Sequence, residues 1–163
     1  MDGVFDEIFM GFKDPAHLIR VFFRLALAGL LGGLIGFERL RDGKSAGLRT
    51  HMLVALGASL FTAVAVETGM NKADLSRIIQ GIAAGVGFLG AGTILKLSDQ
   101  HRIEGLTSAA SIWLTAAAGM AIGAGWLWPA MVGILLGWGI LYGLRDVEHR
   151  CRVVLEKSEA HKE

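Results

Sequence analysis

The sequence predicts an all-α fold: a polytopic transmembrane bundle of five spans with a short N-terminal interfacial helix. Three observations predict it. Residues 105–144 run for forty positions without one Asp, Glu, Lys or Arg. As helix that run is roughly 60 Å long, two crossings of a ~30 Å hydrocarbon core. Apolar residues make up 53% of the chain, which leaves too little polar surface to clothe a water-soluble domain of 163 residues. The 23 glycines fall repeatedly at four-residue spacing, as at Gly29/Gly33, Gly32/Gly36, Gly81/Gly85, Gly119/Gly123, Gly133/Gly137 and Gly139/Gly143. Lipid is as apolar as leucine, so helices in a bilayer associate through close packing, and such small-residue seams supply it. They imply a tight bundle and are compatible with a homodimer.

The elements follow in order. Residues 1–14 form the interfacial segment: Phe5, Ile8, Phe9 and Phe12 share one helical face, with Asp2, Asp6 and Glu7 elsewhere on the wheel. The start lacks the basic region and cleavage site of a signal peptide, so the first span is expected to be retained. Asp14-Pro15 has the form of a helix cap followed by proline at the first helical position. Residues 15–144 are the transmembrane domain, with spans at about 16–37, 48–66, 77–96, 105–123 and 127–144. Trp126, Trp128 and Tyr142 sit near the ends of the last span, as interfacial aromatics do. Residues 145–163 are a short charged tail.

Charge sets the orientation. The loops after spans one and three and the tail hold eleven Lys and Arg residues, against five on the other side. By the positive-inside rule the N-terminus lies outside and the C-terminus in the cytosol. A single cysteine, Cys151, excludes an internal disulfide framework. With His149 two residues away it reads as an inert or modifiable thiol rather than a catalytic pair. No nucleophile–base–orienter set stands out, so the chain is not expected to be an enzyme. Nothing points to nucleic acid.

Several polar residues are placed where apolar ones would serve more cheaply. Arg20 and Arg24 lie one turn apart in span one, either snorkelling to the outer interface or facing the bundle. Arg49, Thr50 and His51 open span two, and Glu38, at the end of span one, is the nearest counter-charge for Arg49. The two are expected to meet across the loop. Thr107, Ser111 and Thr115 form a hydroxyl stripe on span four, either bonding within the bundle or lining a polar pocket opposite Arg49 and His51. GVGFLG, residues 85–90, matches a dinucleotide fingerprint in letters, but it sits inside an uncharged span rather than a strand–turn–helix unit. Its glycines pack helices or break span three. Glu38, Asp42, Asp99 and Glu104 offer oxygen ligands on the basic face, yet the surrounding Lys and Arg favour loop ion pairing over a magnesium site. No cofactor is expected, and no metal ligand set is assigned. The basic loops suit anionic lipid headgroups.

Three blocks, GGLIGFERLRDGKSAGLRTHMLVALGASLF, RIIQGIAAGVGFLGAGTIL and IEGLTSAASIWLTAAAGMAIGAG, resemble in order the membrane domain of the MgtC/SapB family, from about residue 29 to about 125. The family more often has two threonines where this chain has Thr107 and Ser108. Many members continue into a soluble ACT-like domain; this chain is similar to the short, membrane-only members. The matching positions include Glu38, Arg39, Arg49, Thr50, His51, Arg77, Thr107, Gly87, Gly90 and Gly92. Ser108 and Ser111 join the polar ones as candidate functional residues, and Gly85, Gly87, Gly90 and Gly92 are the expected packing glycines. The resemblance implies a bacterial inner-membrane protein linked to growth at low magnesium and, in pathogens, to virulence. It implies a regulatory role through a membrane partner such as the F-type ATP synthase. Two other classes stay open: a magnesium transporter or channel, and a binder of anionic lipid or phosphometabolites.

Overall fold

A computed structural model of the chain describes residues 15–97 and 102–145. The expected interfacial segment and the charged tail beyond Arg145, with Cys151 and His149, lie outside those residues. Five helices carry the fold: α1 (Pro15–Arg41), α2 (Leu48–Glu67), α3 (Lys72–Gly92), α4 (Leu106–Gly123) and α5 (Leu127–Gly143). Between α3 and α4, β1 (Leu95–Leu97) pairs antiparallel with β2 (Arg102–Glu104), in the register Leu95 to Glu104 and Leu97 to Arg102. Among the described residues four helices are long and apolar enough to cross a membrane. The fifth, α5, has 17 residues, about 25 Å of helix and the lower limit of a span.

Local chemistry sets the boundaries. α1 and α2 each end on a glycine in the left-handed region, Gly43 (φ +66°) and Gly69 (φ +70°). The next residue then reaches back to an orphan carbonyl: Lys44 N–H to Arg39 O at 3.0 Å, and Met70 N–H to Ala65 O at 3.2 Å. α3 starts five residues earlier than expected because Asn71 caps it, its side-chain oxygen accepting from Ala73 N–H at 2.9 Å and Asp74 N–H at 3.1 Å. α3 also stops at Gly92 instead of reaching residue 96. There the Thr93 hydroxyl donates to Gly90 O at 2.7 Å and the chain turns extended into β1. The third span is nevertheless one continuous helix through all its glycines, so the broken-helix alternative is corrected. Glycine costs a helix only about 1 kcal/mol per position, and no competing partner takes the freed backbone groups.

α4 is the hub, packing on all four other helices. Half of its most apolar window is buried, against 11% for α3. Glycine decides where backbones meet. A Cβ on Gly119 or Gly123 would collide with the Ala55 or Ser59 carbonyl of α2. One on Gly32 would lie 2.5 Å from His51 O, and one on Gly36 would lie 2.7 Å from Leu48 Cα. By contrast Gly85, Gly87 and Gly92 meet nothing within 4 Å, and of the four assigned packing glycines only Gly90 touches a neighbour, Ala109. The difference is which face of the helix looks inward, since α3 turns most of its surface away from the bundle. Two apolar clusters fill the rest: Ala28, Ile35, Ala55, Ile122 and Ile134 with their neighbours, and Ala58, Val86, Ile112 and Ala116 with theirs. Trp138 and Tyr142 stack on α5 at 5.3 Å between centroids.

Gly119→Ala and Gly123→Ala should each destabilise the bundle by about 1–3 kcal/mol, the usual cost of overpacking. Gly87→Ala and Gly139→Ala, which meet open space, should cost nothing or stabilise. Thermal unfolding in detergent distinguishes the pairs, and equal shifts would contradict the assigned seam.

Candidate functional site

The stripe Gly32, Gly36, Arg39 on α1 lies against the first turns of α2, because the two glycines admit the α2 backbone and Arg39 follows one turn later. This places Glu38 and Arg39 at the basic end of the bundle, both almost fully buried, with 5% and 3% of their surface exposed. Arg39 Nη1 donates to Glu38 Oε2 at 3.4 Å. Glu38 Oε1 and Arg39 Nε are buried without a hydrogen-bond partner. One turn on, Asp42 is close enough to interact with the Glu38 carboxylate. Asp42 Oδ1 accepts from Arg145 Nη1 at 3.0 Å, which ties the end of α5 to the turn after α1.

Below this pair sits His51, with no exposed surface. Its Nδ1 is 2.9 Å from Gly47 O and its Nε2 is 3.1 Å from Ser111 Oγ on α4. A carbonyl can only accept, so Nδ1 carries the proton, and Nε2 of the neutral ring is an acceptor for the Ser111 hydroxyl. The Ser111 oxygen is also 2.8 Å from Ser108 O, so its one proton has two takers. Thr115 donates to Ser111 O at 2.8 Å, and on α2 Thr62 donates to Ala58 O at 2.9 Å. These hydroxyls turn back onto their own helices. Ser111 and His51 stand at nucleophile–base distance, but both are sealed between α2 and α4, where no substrate reaches.

Of the residues singled out in the sequence, the fold brings together Glu38, Arg39, His51, Ser108 and Ser111. It does not bring Arg49 to Glu38. Arg49 is exposed and Glu38 is paired with its neighbour Arg39. Two residues before His51, Arg49 lies some 200° around the helix from the face that meets α1 and α4. Thr107 is exposed as well, and Ser108 takes its place in the buried row with Ser111 and Thr115. Thr50 is half-buried, and Arg77 is exposed on α3, apart from the cluster. Arg24 turns inward: its Nη1 donates to Gly123 O at 3.5 Å and its head lies over Gly125, a cation at the C-terminus of α4. Arg20, one turn earlier, is exposed. His17 and Glu67 pair at 3.3 Å at the same end. Sequence reasoning passed over Ser59, Thr62 and the Asp42–Arg145 tie. The first two look like ordinary span residues, and the tie joins positions 103 apart. Among the described residues no group of three His, Cys, Asp or Glu gathers to hold a metal ion.

A second feature is wide and apolar. α3 diverges from α2 to leave a groove of about 550 Å³, walled by Leu53, Val54 and Phe61 on α2 and Ile78, Ile82 and Leu89 on α3. Gly57, Gly81 and Gly85 line it, each with open space in front.

The family model of the MgtC family matches residues 25–150, which takes in α1 from residue 25 onward, the four other helices and the polar cluster around Glu38, Arg39 and His51. The chain belongs to the MgtC family. Protein SrpB of Synechococcus elongatus is 50% identical over 138 residues, covering 77% of this chain and 75% of that protein. The protein of Escherichia coli K12 named "Putative magnesium transporter YhiD" is 48% identical over 109 residues, covering 63% of this chain and 50% of its own length. Protein MgtC of Brucella abortus is 46% identical over 125 residues, covering 76% of this chain and 49% of its own length. The chain thus spans about half the length of the latter two relatives. No solved structure matches it. With its apolar helices, MgtC-family membership makes this a multi-pass membrane protein.

Removing one member of the buried Glu38–Arg39 pair strands the other charge. Arg39→Leu should destabilise the protein by about 3–5 kcal/mol, and Glu38→Gln combined with Arg39→Leu should recover most of that loss. Unfolding in detergent measures the cycle; additive losses would show that the two charges do not depend on each other.

Proposed function

We propose that this chain is a non-enzymatic membrane regulator connected with magnesium homeostasis, acting by lateral contact with another membrane protein. The F-type ATP synthase is the partner that the family resemblance suggests. The bacterial inner membrane, with the basic end in the cytosol, is the setting, and low-magnesium growth or life inside a host is the circumstance. The link to magnesium draws on the name borne by the Escherichia coli relative. The observation that carries the contact reading is the apolar groove between α2 and α3 together with the outward face of α3. Phe88 is 82% exposed there. Large side chains at the rim and glycines at the wall make a surface that another helix fits by packing, the force that joins helices in lipid.

The transporter reading finds less support. The α2–α4 seam is closed by Gly119 and Gly123 against α2 carbonyls, which leaves no room there for an ion. Glu38 and Asp42 are two carboxylates already engaged by arginines, and among the described residues no third acidic or histidine ligand joins them. Magnesium favours six oxygens in near-octahedral order, so this set does not fit it.

Affinity capture from native membranes tests the proposal. The wild type should retain a membrane partner that Gly81→Leu with Gly85→Leu, filling the groove without touching the buried seam, releases. A second copy of this chain is one identity that the capture can return. Purified protein that alone carried magnesium across a reconstituted bilayer would overturn the reading.

A further inference from the structure

α2 and α4 run in the same direction, and the His51–Ser111 contact at 3.1 Å holds them side by side near their starts. That contact lies three residues into α2 and five into α4, about 5 and 8 Å along the helices. Their N-termini therefore stand next to each other at the basic end. Neither has a side-chain cap, since Gly47 and Gly105 occupy the two capping positions. Each helix start carries roughly half a positive charge on its unpaired N–H groups.

A second, independent observation points to what completes the place. Arg39 is buried to 3% exposure on the α1 stripe that packs on the first turns of α2, its charge acts on His51, and its Nε–H has no acceptor. Its one hydrogen bond, to Glu38, is long at 3.4 Å. Two helix N-termini and one guanidinium sum to about two positive charges facing the Glu38 carboxylate, while the Asp42 carboxylate next to it is matched by Arg145 at 3.0 Å. A buried excess of that size calls for a counter-anion. The open N–H groups and the free edge of the guanidinium fork match tetrahedral oxyanions in geometry. Lys44 and Arg49, exposed on either side of Gly47, bring a further approach potential.

We propose that the paired N-termini of α2 and α4, floored by Arg39, form a binding site for a phosphate group. A soluble phosphate and the phosphodiester of an anionic lipid headgroup offer the same chemistry, and the test separates them. Glu38 is the built-in competitor: it partly neutralises Arg39 while the site is empty. Binding lengthens or breaks the 3.4 Å contact.

The full chain is purified in a neutral detergent, and its apparent Tm is followed with added inorganic phosphate at constant ionic strength, chloride replacing phosphate in the control. A parallel series uses bicelles of phosphatidylcholine with increasing phosphatidylglycerol. Saturable stabilisation by inorganic phosphate assigns a soluble source, and stabilisation by phosphatidylglycerol alone assigns a headgroup. Arg39→Lys keeps the ion pair but loses the fork, and should weaken the apparent affinity about tenfold. Glu38→Gln removes the competitor and should strengthen it about threefold or more. Arg49→Gln, at the surface, should change it by about threefold at most. The proposal is overturned if neither phosphate source stabilises the protein. It is also overturned if Glu38→Gln weakens binding, or if Arg49→Gln costs as much as Arg39→Lys, since either marks general attraction to a basic surface. Should Arg39→Lys not fold, the opposite signs expected of Glu38→Gln and Arg49→Gln decide the matter.

Discussion

Gly119 and Gly123 let the backbone of α4 touch the carbonyls of Ala55 and Ser59 on α2, and the rest of the bundle is arranged around that seam. In lipid no hydrophobic exclusion drives one helix onto another, so only close contact and internal hydrogen bonds hold them. Once α2 and α4 lie at glycine distance, His51 reaches Ser111, and the hydroxyls of Ser111 and Thr115 are buried where they bond to carbonyls of their own helix. α1 joins by the same device, with Gly32 and Gly36 opening on His51 and Leu48. Its approach is what drives Glu38 and Arg39 under cover.

The burial of that ion pair is a consequence of packing rather than a source of stability. Two neighbouring residues on a helix point about 100° apart, so they do not face one another by default. They meet here because α2 and the turn after α1 leave each of them little other company. The Asp42–Arg145 bond then joins the end of α5 to the same corner. The opposite end of the bundle uses another solution: Arg24 satisfies the last carbonyls of α4 instead of reaching for water. There the backbone itself supplies the partial charge complementary to the guanidinium.

α3 stands apart from this economy. It is helical, capped by Asn71 and continuous through its glycines, yet it buries little of its own surface. Glycines that line a seam in α4 line an open groove in α3. The same residue type thus marks a finished contact in one helix and an available one in another, and the contact reading of the protein rests on that contrast.

The sequence by itself determined the class, the order of the five apolar helices among the described residues, and the family. Forty uncharged residues cannot fold as a soluble surface, and the strings GLRTH and GFLGAG are specific enough to place the chain among its relatives. It also marked Arg49, Thr50 and His51 as costly at the start of a span, with Glu38 as a counter-charge, and Thr107, Ser111 and Thr115 as a hydroxyl stripe, while Arg39 and Ser108 stood out only as candidates from the family blocks. Only the tertiary structure decided which of them belong together. Arg49 and Thr107 have the same chemistry as Arg39 and Ser108, and chain order cannot tell them apart. The rotation of α2 and α4 about their axes turns Arg49 and Thr107 outward, and that rotation is fixed by where the glycines let backbones touch. Which glycines touch depends on a neighbouring helix many residues away, and no local pattern encodes it.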